Sequence, residues 1–182
     1  MPKMADYRES LRRLAKEGSS DFINNSSIDH AAAMIEVLFD NAKGKAFVFS
    51  GHLNPDVYNR PELKQSVNDF LGTPTNEIHI LLQSADTEDL KHNDFAIFLR
   101  DNYGKNKDED NRVVFYKSKD KATSKLQNHF LVTKTKADNY AFRLELDIVN
   151  HIATGTFNGG GNGERIYRFL ESQCIAANAL NF

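Results

Sequence analysis

Three short stretches near the end of the chain decide its fold: His129-Phe130-Leu131-Val132-Thr133, Tyr140 to Asp147, and Thr154-Gly155-Thr156-Phe157-Asn158-Gly159. The first two are apolar runs of strand length, and Lys134 to Asn139 between them predicts a hairpin loop. The third stretch completes a predicted strand over Ile152 to Phe157. These closely spaced strands predict antiparallel pairing in this half of the chain.

The first half of the chain instead alternates strands with helices, which is typical of βαβ units with parallel strands. The two halves together predict one α/β domain, a mixed β-sheet flanked by helices on both faces. The predicted strands of this half are 46–49, 78–82 and 113–116. Helices are predicted over 2–17, from Ser26 or Ser27 to a stop at Gly44, over 62–71 and 89–101, and finally over 164–177.

Glycine, proline and polar clusters mark the predicted loops. Gly51 to Pro61 contains Asn54-Pro55 and Arg60-Pro61 and predicts a loop after the first strand. Gly104 to Asn111 is the most polar segment and predicts an exposed loop. The run Gly159 to Gly163 precedes the last helix, where free backbone N–H groups could bind an anion or simply form a flexible connection.

Length and composition indicate a single domain over residues 1–182, with residues 1–20 as a helical extension. The net charge of -2 gives no general reason to expect a polyanionic partner. Cys174 is the single cysteine, so an intrachain disulfide and a cysteine-based zinc site are excluded, and a reducing cytoplasm is expected. No apolar run is long enough for a membrane span. No histidine pair has metal-ligand spacing, and we expect no metal and no cofactor.

His129 is the strongest candidate for chemistry, because an imidazole at the start of an apolar strand needs a polar partner if it is buried. Arg143 and Glu145 share one face of their strand by alternation. Either they form a solvated or paired face, or Glu145 orients His129 and Arg143 binds phosphate. A purely structural role for His129 competes with both. His52, just after the first strand, is a weaker candidate.

With His129 followed by Gly155-Thr156-Phe157-Asn158 and a helix, the chain resembles the phospholipase D superfamily, most closely its small single-copy domains from bacteria. The family motif is His-x-Lys-x4-Asp, then Gly-Ser/Thr-x-Asn. The resemblance implies a phospholipase-D-like fold in which His129 attacks phosphorus, while Thr156 and Asn158 hold phosphoryl oxygens. It also implies a homodimer, because one motif supplies only one of the two histidines that the reaction needs.

The chain departs from the family motif at the lysine, whose position is occupied by Leu131. Lys134 is five residues from His129, so strand alternation directs it to the other face. Asp138 is the aspartate nearest to the family's spacing. Arg143 could supply the missing cation from the neighbouring strand.

The sequence leaves three functions open. The first is a phosphodiesterase, such as a nuclease, that acts on nucleic acid or another phosphodiester through His129. The second is a catalytically inactive domain that serves as a binding or assembly module for a protein partner in a bacterial multi-protein system. A structural oligomer without a ligand is a third alternative.

Overall fold

The computed structural model describes residues 4–104, 112–119 and 128–182. Apart from Gly104, the predicted loop Gly104 to Asn111 lies outside these residues. Within them the chain forms seven helices and eight strands. In chain order these are α1 (Met4–Glu17), β1 (Ile23–Asn25), α2 (Ile28–Asn41), β2 (Ala42–Ser50), α3 (Pro55–Tyr58), α4 (Pro61–Leu71), β3 (Glu77–Leu82), α5 (Thr87–Lys91), α6 (Asp94–Tyr103), β4 (Val113–Lys117), β5 (Phe130–Thr135), β6 (Tyr140–Asp147), β7 (Ile152–Thr156), α7 (Gly160–Ala176) and β8 (Asn178–Leu180).

The strands form one mixed sheet in the order β1-β7-β6-β5-β2-β3-β4-β8. Strands β2, β3 and β4 are parallel to one another, and every other described pair is antiparallel. The prediction of a mixed α/β sheet is therefore confirmed, as is the hairpin between β5 and β6. The antiparallel strand β5 pairs with β2 and so joins the two halves of the sheet.

Helices cover both faces of the sheet, and each face has its own hydrophobic core. On one face, α2 lies against the sheet with Met34 and Leu38 fully buried, and α4 and α6 extend the same core. On the other face α7 packs over the central strands, where Phe47, Tyr167 and Leu170 are buried. Burial of these large side chains supplies the main stabilising term of the fold.

The N-terminal helix belongs to the first core. Leu11 of α1 is 1% exposed and packs with the residues of α2. Glu36 of α2 is buried and forms ion pairs with Arg8 at 2.9 Å and Arg12 at 2.8 Å. Paired in this way, the buried carboxylate fixes α1 on α2.

Several predicted boundaries were wrong, for local reasons. The second helix ends at Asn41, and Gly44 lies within β2, where the pairing with β5 is irregular between Lys43 and Ala46. Gly44 has φ +71° there and donates its N–H to Asn76, as expected of a glycine at a bulge.

The predicted helix 89–101 is two helices, because Asn93 caps a new one with its side chain. The loop after β2 contains the short helix α3, and the glycine run 159–163 forms the N-terminal cap and first turn of α7. The short edge strands β1 and β8 were not predicted.

Candidate functional site

His129 lies immediately before β5, beside the end of the parallel strand β2. Its Nδ1 is 2.9 Å from Oε2 of Glu145, and its Nε2 accepts the backbone N–H of Gly51 at 3.1 Å. Because a backbone N–H can only donate, Nε2 carries the lone pair and Nδ1 carries the hydrogen. The network therefore fixes both the tautomer and the orientation of the ring.

Glu145 of β6 is held by its backbone as well as its side chain. Its N–H donates to the His129 carbonyl at 2.8 Å, and its carbonyl accepts the Asn128 side chain at 2.8 Å. Burial raises the pKa of Glu145, but the hydrogen bond from His129 and the positive charge of Arg143 outweigh it, so the pKa is lowered overall. The carboxylate is therefore ionised at neutral pH.

Arg143 is a buried cation on the same face of β6. Its side chain is 7% exposed, and Nη2 lies 3.5 Å from Oε1 of Glu145. Its Nε and Nη2 make no hydrogen bond to the described part of the chain. Its neighbour on β7 is Gly155, which adds no side chain to this face. Buried guanidinium groups without acceptors are costly and call for a physical explanation.

A cavity of about 80 Å³ connects these groups. The sheet contributes the charged residues at its base, and α2, α3 and the turn after β6 border it with Ile28, Ala31, Ile35, Val57 and Ile148. Tyr58 of α3 also lines the cavity, and its burial raises the pKa of its hydroxyl to about 12. The remaining polar lining comes from Ser50, His52, Asn54 and His151.

Two short loops at the cavity are held by side-chain hydrogen bonds. The Asn93 side chain donates to the carbonyls of His52 at 3.2 Å and Leu53 at 3.0 Å. In the turn after β6, a carboxylate oxygen of Asp147 accepts the backbone N–H groups of Val149 and Asn150. These bonds fix the loops that carry His52 and His151 toward the same cavity.

Thr156 and Asn158 lie apart from this group. Thr156 pairs with Phe142 in the sheet, so its side chain is on the face opposite Arg143. Its hydroxyl lies 3.3 Å from the Ser19 carbonyl, to which it donates, and accepts the Asn158 N–H at 3.3 Å. Asn158 is half-buried and does not line the cavity.

The structure thus brings together three of the five predicted site residues, namely His129, Glu145 and Arg143. It adds His151 and Tyr58, which sequence reasoning missed, and it places the weaker candidate His52 beside them. The signal for His151 was the short turn between two predicted strands, which returns the chain to the edge of the sheet where β6 ends. Tyr58 gave no usable signal, because its segment was predicted to be a loop.

Residues 4–104, 112–119 and 128–182 contain no group of three or more His, Cys, Asp or Glu side chains arranged to hold a metal ion. None of the helices in these ranges has the length and apolar character needed to cross a membrane.

No protein-family model matches the sequence, and comparison with curated proteins found no match. Among solved structures, the chain is similar to TrmBL2, an archaeal chromatin protein whose structure shows a novel mode of DNA binding. The TM-score is 0.56 at 10% sequence identity, over 97% of this chain. The chain spans 62% of the TrmBL2 chain, which is less than two thirds of its length. At this identity the likeness concerns the fold alone.

Proposed function

We propose that this domain binds a ligand that carries a phosphate group, with Arg143 as its principal anchor. The observation that carries the proposal is a buried guanidinium that lines a cavity and whose Nε and Nη2 make no hydrogen bond within the described chain, although Nη2 lies 3.5 Å from Oε1 of Glu145. An unsatisfied buried donor costs about 1–3 kcal/mol, and more when it is charged. Two oxygens of one phosphate group would accept from these two nitrogens, since guanidinium groups match phosphate with two parallel hydrogen bonds.

Among the residues that line the cavity, the charges of Arg143 and the ionised Glu145 cancel, and the remaining hydrogen-bond donors support an anion as the ligand. The two carboxylate oxygens of Glu145 face His129 and Arg143. His52 and His151 border the same cavity and can donate hydrogen bonds to an anion.

The family resemblance supports the same ligand class. Leu131, at the motif's lysine position, is paired directly with Arg143 of β6. A cation is therefore present one strand away from the place where the phospholipase D motif has its phosphate-binding lysine. A buried arginine on the neighbouring strand, with leucine at the position of the motif lysine, supports binding over chemistry.

Phosphodiester hydrolysis through His129 is the second candidate, favoured by the hydrogen bond between Glu145 and Nδ1. In that reaction Nε2 would attack phosphorus, the P–O ester bond would break, and the leaving oxygen would take a proton from a second imidazole. Water would then cleave the N–P bond of the phosphohistidine, which still carries the second ester group, and release a phosphomonoester while the second imidazole takes back a proton. The second imidazole would come from His52 or His151 in the same cavity, or from His129 of a second copy in a homodimer. Attack requires that the Gly51 N–H first release Nε2.

Thermal unfolding with and without inorganic phosphate tests the binding proposal. We expect phosphate to raise the Tm of the wild type and of the exposed control Arg13→Met, but not that of Arg143→Met, with equal sodium chloride as the salt control. Arg143→Lys retains the charge without the guanidinium fork and should respond weakly. If phosphate stabilises no variant, or stabilises Arg143→Met as much as the wild type, the proposal is wrong.

The hydrolysis candidate needs a separate assay. Wild type and His129→Ala are compared on bis(4-nitrophenyl) phosphate, single-stranded DNA and RNA. Nucleic acid is included because the similar archaeal structure is of a protein that binds DNA. Equal rates for the two proteins would remove His129 from the chemistry and leave binding as the function.

A further inference from the structure

We infer that the ligand presents a terminal phosphate, attached through a single ester bond, rather than an internal phosphodiester. The inference rests on the proposed function and narrows it to phosphomonoesters and free phosphate. It follows from the size of the cavity, from its borders and from the depth at which Arg143 lies.

The volume of the cavity fits one phosphate group. A single water needs about 10–15 Å³ of such volume, so about 80 Å³ accommodates roughly five to eight non-hydrogen atoms. A phosphate has five. The cavity has no room for a second substituent as large as a sugar or an aryl ring beside the phosphate.

The side chains that border the cavity also favour a terminal phosphate over an internal phosphodiester. Ile28 and Ile35 of α2, Val57 of α3 and Ile148 of the turn after β6 surround the charged base with apolar side chains. An internal phosphodiester must continue on both sides of the phosphate, so its two substituents would have to displace two of these segments. A terminal phosphate has one substituent, which needs only one opening between the bordering segments.

Because Arg143 is buried, a phosphate group must enter the cavity itself to contact its guanidinium. With 7% of its side chain exposed, the guanidinium is reached only by a group that enters the cavity. A terminal phosphate has three free oxygens to place there. Arg143 has two nitrogens that make no hydrogen bond within the described chain, and His52 and His151 of the same lining can donate further hydrogen bonds, so three acceptors are matched better than the two of a diester.

Calorimetric titration with matched aryl esters tests the inference. Phenyl phosphate, diphenyl phosphate and inorganic phosphate are each titrated into the wild type and Arg143→Met. We expect inorganic phosphate and phenyl phosphate to bind at least tenfold more tightly than diphenyl phosphate, and both to be lost in Arg143→Met. Diphenyl phosphate bound as tightly as phenyl phosphate, with dependence on Arg143, overturns the inference while the proposed function stands. Absence of binding by all three probes overturns both.

A substitution in the apolar border of the cavity tests whether the preference for phenyl over diphenyl phosphate is steric. Ile148→Ala widens the cavity, and we expect it to reduce the preference for phenyl over diphenyl phosphate several-fold. Val149→Ala, the exposed neighbouring residue, is the matched control and should leave the ratio unchanged. An unchanged ratio in Ile148→Ala overturns the steric argument and with it the inference.

A DNA oligonucleotide with a 5′-phosphate or a 5′-hydroxyl then identifies the source of the phosphate. Tighter binding of the 5′-phosphate form supports recognition of a nucleic-acid end, and it should disappear in Arg143→Met. Equal, Arg143-dependent binding of both forms would mean that internal phosphodiesters enter the cavity and would overturn the inference.

Discussion

Leu131 and Arg143 are directly paired across the β5–β6 ladder, on the sheet face that carries His129 and Glu145. Leu131 is 2% exposed and part of the core that α2 covers. The strand pair therefore places an apolar side chain on β5 and the cation on β6. The guanidinium and the core share this face because Glu145 compensates the positive charge.

Restoring the motif lysine should destabilise this protein rather than activate it. Leu131→Lys would bury a second cation beside Arg143, and we expect a loss of several kcal/mol in the free energy of unfolding. Leu131→Met, a volume-conserving control, should cost less than about 1.5 kcal/mol. Combining Leu131→Lys with Arg143→Leu moves the cation to β5 and should recover part of the loss. Urea unfolding of wild type, Leu131→Lys, Arg143→Leu and the double variant measures the coupling, and strict additivity of the two single effects would contradict it.

Glu145→Gln should lower stability at neutral pH and have little effect in acid. The pKa of Glu145 is lowered in the folded state, so its ionised form stabilises the fold above the unfolded-state pKa. That contribution is lost as the pH falls through the lowered pKa of the folded state. Urea midpoints at pH 7 and at about pH 3 test this, with the exposed Glu164→Gln as control. A difference between wild type and Glu145→Gln that grows in acid would refute it.

The sequence predicted the alternation of elements well because most strands are continuous apolar runs with glycine or proline nearby. It did not predict β1 or β8, since strands of three residues carry too little periodicity to stand out. It also ended the second helix at Gly44, where only the sheet pairing reveals that the glycine sits in a strand irregularity.

For the site, strand alternation was sufficient to place Arg143 and Glu145 on one face. It could not place Thr156, whose position depends on how β7 is registered against β6. The pairing with Phe142 directs the Thr156 hydroxyl toward Ser19, which is 137 positions away in the sequence. Such a contact depends on tertiary structure and has no local signature.

Gly155, which matches the glycine of the family's Gly-Ser/Thr-x-Asn element, should matter for packing. A Cβ at this position would lie 2.7 Å from Cε of Met34 and 2.8 Å from the carbonyl oxygen of Phe142. The carbonyl belongs to the paired strand and cannot move freely, so we expect Gly155→Ala to cost about 1–3 kcal/mol.

Gly161 is the matched control for that substitution. It lies in the first turn of α7, and a Cβ there would meet no atom within 4 Å. Gly161→Ala should therefore stabilise the protein slightly, by about 0.4–1 kcal/mol, through the lower entropy of the unfolded chain. Thermal unfolding of both variants gives the comparison, and a Gly155→Ala protein as stable as the wild type would show that β7 can shift.

Removal of the Tyr7 hydroxyl should stabilise the protein. The hydroxyl oxygen of Tyr7 is buried beneath α1 and makes no hydrogen bond to the described chain, and burial raises its pKa. Because the ring packs against His30 in a tilted arrangement with centroids 4.2 Å apart, Tyr7→Phe keeps this contact and removes only the unpaired group. We expect a gain of about 1 kcal/mol, at the lower end of the cost of an unsatisfied buried polar atom.

Tyr116→Phe provides a control in which removal of a tyrosine hydroxyl should lower the stability instead of raising it. The Tyr116 hydroxyl is 3.0 Å from Nδ1 of His79, so its removal breaks a hydrogen bond and should cost about 0.5–1.5 kcal/mol. Urea unfolding of wild type and both variants separates the two effects. A loss of stability in Tyr7→Phe similar to that in Tyr116→Phe would mean that the Tyr7 hydroxyl has a partner in solution, such as an ordered water between α1 and Arg143.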